Sequence, residues 1–171
     1  MANNNNGNHN SRKHTLSLLV DNKPGVLSRI AGLFSGRGFN IESLSVAKTL
    51  ESEVSCLTLV TSGDDGIIEQ ITKQLHKLID VIKVTDMSET DYVEREMAII
   101  RIKAEAETRA EVLRVIDIFR GKVVDVSPKS YAVEITGTAS KIQAVIDILR
   151  PIGIQEIVRT GTIAMARAKK F

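Results

Sequence analysis

The sequence is poor in the residues that mark several protein classes. It has one cysteine, three prolines and no tryptophan, and aromatic residues make up 4% of its 171 residues. A single cysteine excludes an internal disulfide framework and fits a reducing compartment, so we expect a cytoplasmic protein. No apolar run is long enough to span a bilayer, and the first eleven residues, MANNNNGNHNS, lack the apolar segment of a secretory signal. We therefore expect no membrane partner.

The charge balance and the polar residues also exclude functions. With 23 basic and 21 acidic residues, the net charge of +2 gives no reason to expect a nucleic-acid partner. No two histidines have metal-ligand spacing, no CxxC occurs, and no paired acid and base stands out, so we predict no metal site and no catalytic residue. Cys56 lies in an alternating segment and is predicted to be a buried structural thiol.

The pattern of apolar residues repeats once along the chain. Strand-like and helix-like periods follow the order strand, helix, strand, strand, helix, strand, first over 15–84 and again over 97–159. This order predicts an α+β protein of two tandem ferredoxin-like (βαββαβ) domains. An RNA-recognition module has the same order, but it needs aromatic side chains on its central strands, and only Phe39 is available here.

We divide the chain on this basis. Residues 1–12 form an asparagine-rich tail that is predicted to be disordered, and 168–171 form a short basic tail. The predicted domains are 13–87 and 96–167, joined by a polar linker at 88–95. Several strand residues are apolar, so the sheet face that the helices do not cover cannot be fully polar and solvent-exposed. A homodimer that buries this face is therefore expected. These residues are Leu57, Leu59, Ile99 and Val133.

The segment 20–44 carries the most functional information. It reads as a strand end, a turn, an amphipathic helix, a glycine stop and a second strand. Pro24 suits the first helical turn, and Gly25 lets a ligand approach the backbone. The open N–H groups of Gly25, Val26 and Leu27 favour an anion such as a carboxylate. The alternative is an ordinary helix start, capped by Asp21 or Asn22.

These residues resemble a known family. DNKPGVL at 21–27, followed by RGFNIESL at 37–44, is similar to the ACT domain, an amino-acid-sensing module. The variant GFNIESLSVA resembles that of the small regulatory subunit of acetolactate synthase. The resemblance continues through KQLHKLIDVIKV, VEREMAIIRI, IFRGKVVDVSP and SYAVEITGT, and it covers nearly everything from His14 to Arg167.

The resemblance implies a non-catalytic subunit of a transferase complex. The family's small subunit activates a large catalytic subunit, which carries thiamine diphosphate, magnesium and FAD, and it confers feedback inhibition by valine or a related branched-chain amino acid. The chain itself is then expected to hold no cofactor. A free-standing amino-acid sensor that controls another enzyme or transcription is the alternative.

The resemblance also implies where the effector binds. In the family the amino acid lies between two ACT domains of a homodimer. Carried onto this chain, one set of contacts comes from the first turn, and the other comes from the start of the second strand of the other protomer. The first set is Asn22, Lys23, Pro24, Gly25, Val26 and Leu27; the second is Asn40 and Ile41. The corresponding segment of the second half, 105–108, is acidic, so that half is predicted to serve dimerisation or coupling without an effector site of its own.

Overall fold

A computed structural model describes residues 12–168 of the chain. The chain forms two compact units. The first contains the residues up to Tyr92 together with those from Met165 onwards, and the second contains Val93–Ala164.

The first unit is a four-stranded antiparallel sheet with two helices. Its strands lie in the order β2-β3-β1-β4. Its elements are β1 Arg12–Asp21, α1 Val26–Gly36, β2 Ile41–Lys48, β3 Val54–Gly63, α2 Asp65–Leu75 and β4 Val81–Asp86, followed by a short 3-10 helix, Met87–Glu89.

The core of this unit lies between the sheet and the helices. Leu16, Leu18 and Val20 alternate along β1 and are at most 2% exposed. They pack against Ile30 and Phe34 of α1, within the apolar stripe predicted from the sequence. Phe39 is half-buried against the same core and meets Phe34 of α1 edge to face, with ring centroids 6.3 Å apart, so it is not free to stack on a base.

The second unit repeats the arrangement. The strand order is β6-β7-β5-β8, with β9 pairing with β5 as an additional strand. Its elements are β5 Tyr92–Lys103, α3 Arg109–Ile118, β6 Lys122–Val126, β7 Ser130–Gly137, α4 Ala139–Gly153, β8 Ile154–Arg159 and β9 Ile163–Ala166. The two βαββαβ units confirm the predicted fold class.

Helices and strands run past several of the predicted boundaries. The two units divide after Tyr92, inside the predicted linker 88–95, and the 3-10 helix and the first residues of β5 occupy much of that segment. Polar residues are common on the exposed side of a strand, so composition alone misplaced the start of β5. Arg12, the last residue of the predicted tail, begins β1. Residues 1–11 and 169–171 of the two predicted tails lie outside the described residues.

The sheet faces also differ from the prediction. Four apolar strand residues were expected to make the uncovered sheet face apolar. Three of them, Leu57, Leu59 and Val133, are instead core residues beneath the helices. Ile99 does point away from the core and is 44% exposed. The sequence shows which strand residues are apolar, but the face of the sheet on which each side chain lies depends on the pairing register of the strands.

No helix of the described chain has the length and apolarity needed to cross a membrane.

Candidate functional site

The turn between β1 and α1 has a backbone shape that only a few residue types adopt readily. Helix α1 begins at Val26, and Gly25 precedes it as the N-cap residue with φ +85°. Positive φ is readily accessible to glycine and costly for most other residues. Pro24 therefore lies before the helix and not in its first turn, which corrects the sequence prediction. The alternative cap by Asp21 or Asn22 is also wrong, because no side chain caps this helix.

The polar side chains of the turn are used to hold its shape. The Asn22 backbone N–H donates to the Glu53 carbonyl at 2.7 Å, and its Nδ2 donates to the Ser52 carbonyl at 2.8 Å. Lys23 Nζ lies 2.6 Å from Asp21 Oδ2, and this hydrogen bond raises the pKa of Lys23. Asn22 thus ties the turn to the β2–β3 connection, which makes its side chain a support for the turn.

The backbone amides of the turn remain available to a ligand. The Val26 N–H makes a long bond of 3.4 Å to the Lys23 carbonyl. Within residues 12–168, no acceptor takes the N–H of Gly25 or Leu27. Both residues are exposed, and unpaired amides at a helix N-terminus favour an anion. The Val26 side chain is 4% exposed and lies in the core, so only the backbone of Val26 can contribute to a ligand site.

Arg29 is a neighbour of the turn that the sequence analysis missed. A Cβ on Gly25 would lie 3.5 Å from Arg29 Nη1, the nearest atom to that position, and the Arg29 Nη2 atom lies 2.6 Å from Asp80 Oδ2. Residues four apart share a helix face, so the position of Arg29 after Gly25 was the available signal. Its guanidinium lies beside the turn while it is paired with the Asp80 carboxylate.

Asn40 and Ile41 lie at the opposite end of the same sheet. Asp21, at the turn, pairs with Val54 at the start of β3, whereas Ile41 pairs with Thr61 seven residues farther along. At about 3.3 Å per residue this is a separation of roughly 23 Å along the strand. The Asn40 carbonyl accepts a 2.7 Å hydrogen bond from Thr61 Oγ1, while the residue as a whole is exposed. The fold brings together 22–27, and it does not bring Asn40 and Ile41 to them within one chain.

In the second unit, the Arg109 side chain occupies the turn that is equivalent to 22–27. Arg109, the first residue of α3, donates from Nη2 to the carbonyls of Ala104 and Pro128 at 3.3 and 3.0 Å. Its guanidinium carbon lies 5.8 Å from the centre of the Tyr131 ring. The acidic segment 105–108 therefore lies beside an arginine that already occupies the space near the helix start.

A second polar region of the first unit surrounds His14, which is 1% exposed. A cavity of about 670 Å³ opens beside it. Arg12 Nε donates to His14 Nε2 at 3.1 Å, so the ring proton must lie on Nδ1, which is 3.2 Å from Asp86 Oδ2. Asp65 completes the group through Arg12 at 2.7 Å. These charges satisfy one another, which indicates a structural network.

Other candidate groups are isolated. The Cys56 thiol is only half-buried, against the predicted full burial, and lies 3.9 Å from the Ser17 hydroxyl. No group of three or more metal-ligating side chains occurs among residues 12–168.

Comparison with known proteins matches both units to one family. Residues 16–83 match a family described as AHAS small subunit-like ACT domain, and residues 95–168 match one described as small subunit of acetolactate synthase. AHAS is acetohydroxyacid synthase, another name for acetolactate synthase.

Individual relatives cover almost the whole chain. A probable acetolactate synthase small subunit of Archaeoglobus fulgidus is 51% identical over 92% of this chain and 99% of its own length. An acetolactate synthase small subunit of Aquifex aeolicus is 51% identical over 91% of this chain and 82% of its own. The crystal structure of the acetolactate synthase small subunit of Thermotoga maritima superposes with a TM-score of 0.84 at 44% identity, covering 93% of this chain and 99% of that one. On the strength of two matched units and near full-length relatives, this chain belongs to the acetolactate synthase small-subunit family.

Proposed function

We propose that this protein is the regulatory subunit of acetolactate synthase. It binds and activates a catalytic subunit that carries thiamine diphosphate, magnesium and FAD, and it makes that enzyme sensitive to valine or another branched-chain amino acid. The chain itself holds no cofactor and acts in the cytoplasm. The observation that supports the proposal is the turn at 22–27, which has open backbone amides and lies at the other end of the sheet from Asn40 and Ile41.

Two copies of the chain complete the site. Strand β2 is one of the two edge strands of the first unit, with β4 at the other edge, and it runs from Ile41, beside Thr61, to Lys48, beside Ser55. Antiparallel pairing of β2 with a second copy about a two-fold axis brings the start of one β2 next to the end of the other. Ile41 of one copy then lies at the same end of the sheet as the Asn22–Leu27 turn of the other, and the dimer holds two identical sites.

The chemistry of these two halves suits a free amino acid. The N–H groups of Gly25 and Leu27 supply donors for a carboxylate at the start of α1. The exposed Asn40 amide offers a donor and an acceptor for a zwitterion. Ile41 and Leu27, which is 42% exposed, provide apolar surface for a small branched side chain.

Regulation follows from linkage between two binding equilibria. An effector that bridges two copies shifts the complex only by its difference in affinity between the active and inhibited arrangements, with couplings of about 1–3 kcal/mol in typical systems. A free-standing sensor would share the pocket and lack the catalytic partner. Family membership favours the enzyme complex, and a pull-down of the large subunit from the native cell separates the two.

Reconstitution with the cognate large subunit tests the proposal. Acetolactate formation is measured with and without the small subunit, and with valine, leucine or isoleucine added. Gly25→Asp places a carboxylate where the effector carboxylate binds, so activation persists while inhibition is lost. Gly32→Asp is the matched control, because Gly32 is exposed on the same helix and a Cβ there meets no neighbour within 4 Å. A Gly25→Asp complex that remained fully inhibited would refute the site.

A further inference from the structure

The side chain of Arg29 borders the open side of Gly25 in the effector turn. A Cβ on Gly25 would lie 3.5 Å from Arg29 Nη1 and 4.0 Å from its Cζ, and among residues 12–168 no other side chain comes within 4 Å of that position. Helical side chains lean toward the N-terminus, so a residue four positions on lies over the start of its helix. The guanidinium therefore bounds the space that the absent side chain of Gly25 leaves open.

An ion pair with Asp80 holds this guanidinium in place. Arg29 Nη2 lies 2.6 Å from Asp80 Oδ2, and the Asp80 side chain is only 11% exposed. That oxygen is buried and accepts no hydrogen bond from residues 12–168, so it relies on the arginine for its counter-charge. Because a buried carboxylate without a counter-charge is strongly destabilising, the pair keeps Arg29 beside the turn.

Asp80 is itself attached to the strand that leads into the turn. Its backbone carbonyl accepts a 2.9 Å hydrogen bond from the N–H of Asp21, the last residue of β1. The same residue thus contacts the chain just before the turn through its backbone and the first part of α1 through its carboxylate. Asp80 therefore fixes the position of Arg29 relative to the backbone amides of the turn.

The other edge of the guanidinium is available to a ligand. The Arg29 side chain is half-exposed, and in the described part of the chain its Nη1 atom has no hydrogen-bond acceptor. A guanidinium presents five N–H donors on a rigid planar fork, so it can hold one carboxylate on one edge and a second carboxylate on another. The open N–H groups of Gly25 and Leu27 belong to the same helix start.

We propose that Arg29 donates from Nη1 to the carboxylate of the bound amino acid, and that Asp80 is the residue that positions its guanidinium. The inference rests on the proposed effector site and adds a charged side-chain donor to its backbone donors. Because Asp80 balances the charge of Arg29, the contribution is a directed, charge-assisted hydrogen bond and not a long-range attraction.

Substitution of Arg29 in the complex of the full chain with the large subunit tests the inference. Arg29→Gln removes the charged donor, so the valine concentration that gives half-inhibition is expected to rise by about tenfold. Arg114→Gln is the matched control, because Arg114 is an exposed arginine on α3 of the second unit, and it is expected to leave that concentration unchanged. Unchanged inhibition of the Arg29→Gln complex overturns the inference.

Two further variants separate ligand binding from folding. Arg29→Lys keeps a counter-charge for Asp80 but offers a point charge in place of two edges, so it is expected to retain stability in urea and still bind valine weakly. Arg29→Gln combined with Asp80→Asn leaves no unpaired buried charge, and it is expected to bind valine as weakly as Arg29→Gln alone. Valine affinity equal to that of the unmodified chain in either variant would limit Arg29 to a structural role.

Asp80→Asn by itself tests the positioning role. The guanidinium loses its ion pair and leaves the turn, so valine affinity measured by calorimetry is expected to fall by about threefold. Unchanged or tighter valine binding would show that Asp80 does not hold Arg29 in the binding position.

A ligand without a carboxylate gives a measurement that a purely structural role would not change. Valinamide cannot accept the proposed hydrogen bond, so Arg29→Gln is expected to weaken inhibition by valine and to leave the weak or absent inhibition by valinamide as it is. Equal weakening for both ligands overturns the inference.

Failure of this inference is distinguishable from failure of the proposed function. An unmodified complex that no branched-chain amino acid inhibits argues against the proposed function. An unmodified complex that valine inhibits, together with equal inhibition of the Arg29→Gln complex, overturns the role of Arg29 alone.

Discussion

Arg159 on β8 holds the carboxylate of Glu96 on β5 through two hydrogen bonds, with Nη2 2.8 Å from Oε2 and Nε bonded to Oε1. Glu96 is 4% exposed, and it shares the helix side of the sheet with Ala98 and Ile100. The contact raises the pKa of Arg159 above its ordinary value. The pair joins two neighbouring strands at the edge of the second core, so it should contribute to the stability of this unit.

Glu96→Gln should destabilise the protein by about 2–3 kcal/mol, because it removes the charge and one acceptor from a largely buried pair while Arg159 stays partly solvated. Urea unfolding measures the change. Glu156→Gln is the control, since Glu156 makes an exposed contact of 3.5 Å with Arg101 and should cost less than about 0.5 kcal/mol. Equal effects of the two variants would show that the Glu96–Arg159 pair stabilises the protein no more than the exposed Glu156–Arg101 pair does.

Gly25→Ala should cost about 1–2 kcal/mol of stability, because φ +85° strains a residue with a Cβ although space is available there. Gly25→Asn should cost less, since asparagine tolerates this region. Gly32→Ala should instead stabilise by about 0.5–1 kcal/mol, as alanine favours a helix interior. Thermal unfolding of the three variants gives the order, and a neutral Gly25→Ala would contradict the assigned backbone conformation.

A mixed dimer of Gly25→Asp and Asn40→Ala chains should recover one of two effector sites. In the proposed dimer each site takes the turn of one copy and Asn40 of the other, so both defects would fall in one site and the second would be intact. Calorimetry with valine should find greatly weakened binding in each homodimer and one site per mixed dimer. Undiminished affinity of the Asn40→Ala homodimer would remove Asn40 from the site.

The loss of stability on acidification should depend in part on Glu42. Hydrogen bonds from Lys13 and Ser62 lower the pKa of Glu42 below its ordinary value. The stabilisation is therefore present above the ordinary carboxyl range and is lost as the pH falls through the lower folded value. Glu42→Gln should lose up to about 1 kcal/mol near neutral pH and show less change in acid. Parallel pH profiles for the two proteins would contradict this role.

The sequence contained the periodicity that defines both units. The stripes of α1 and the alternation of β1 follow from local spacing, and such patterns survive folding because each element must bury one face. The turn at 22–27 was also identifiable from its residues. The apolar spacing over 67–79 predicts one helix for the whole segment, whereas α2 ends at Leu75 and Ile79 is 96% exposed.

Local sequence alone determined which segments form helices and strands, and its family motif marked Gly25 and Asn40 as candidates. Tertiary structure decided the rest: that Gly25 takes a left-handed conformation, that Asn22 supports the β2–β3 connection, and that Asn40 lies at the far end of the sheet. These features depend on pairing register and on contacts between residues distant in the chain, and those are set only when all four strands pack together.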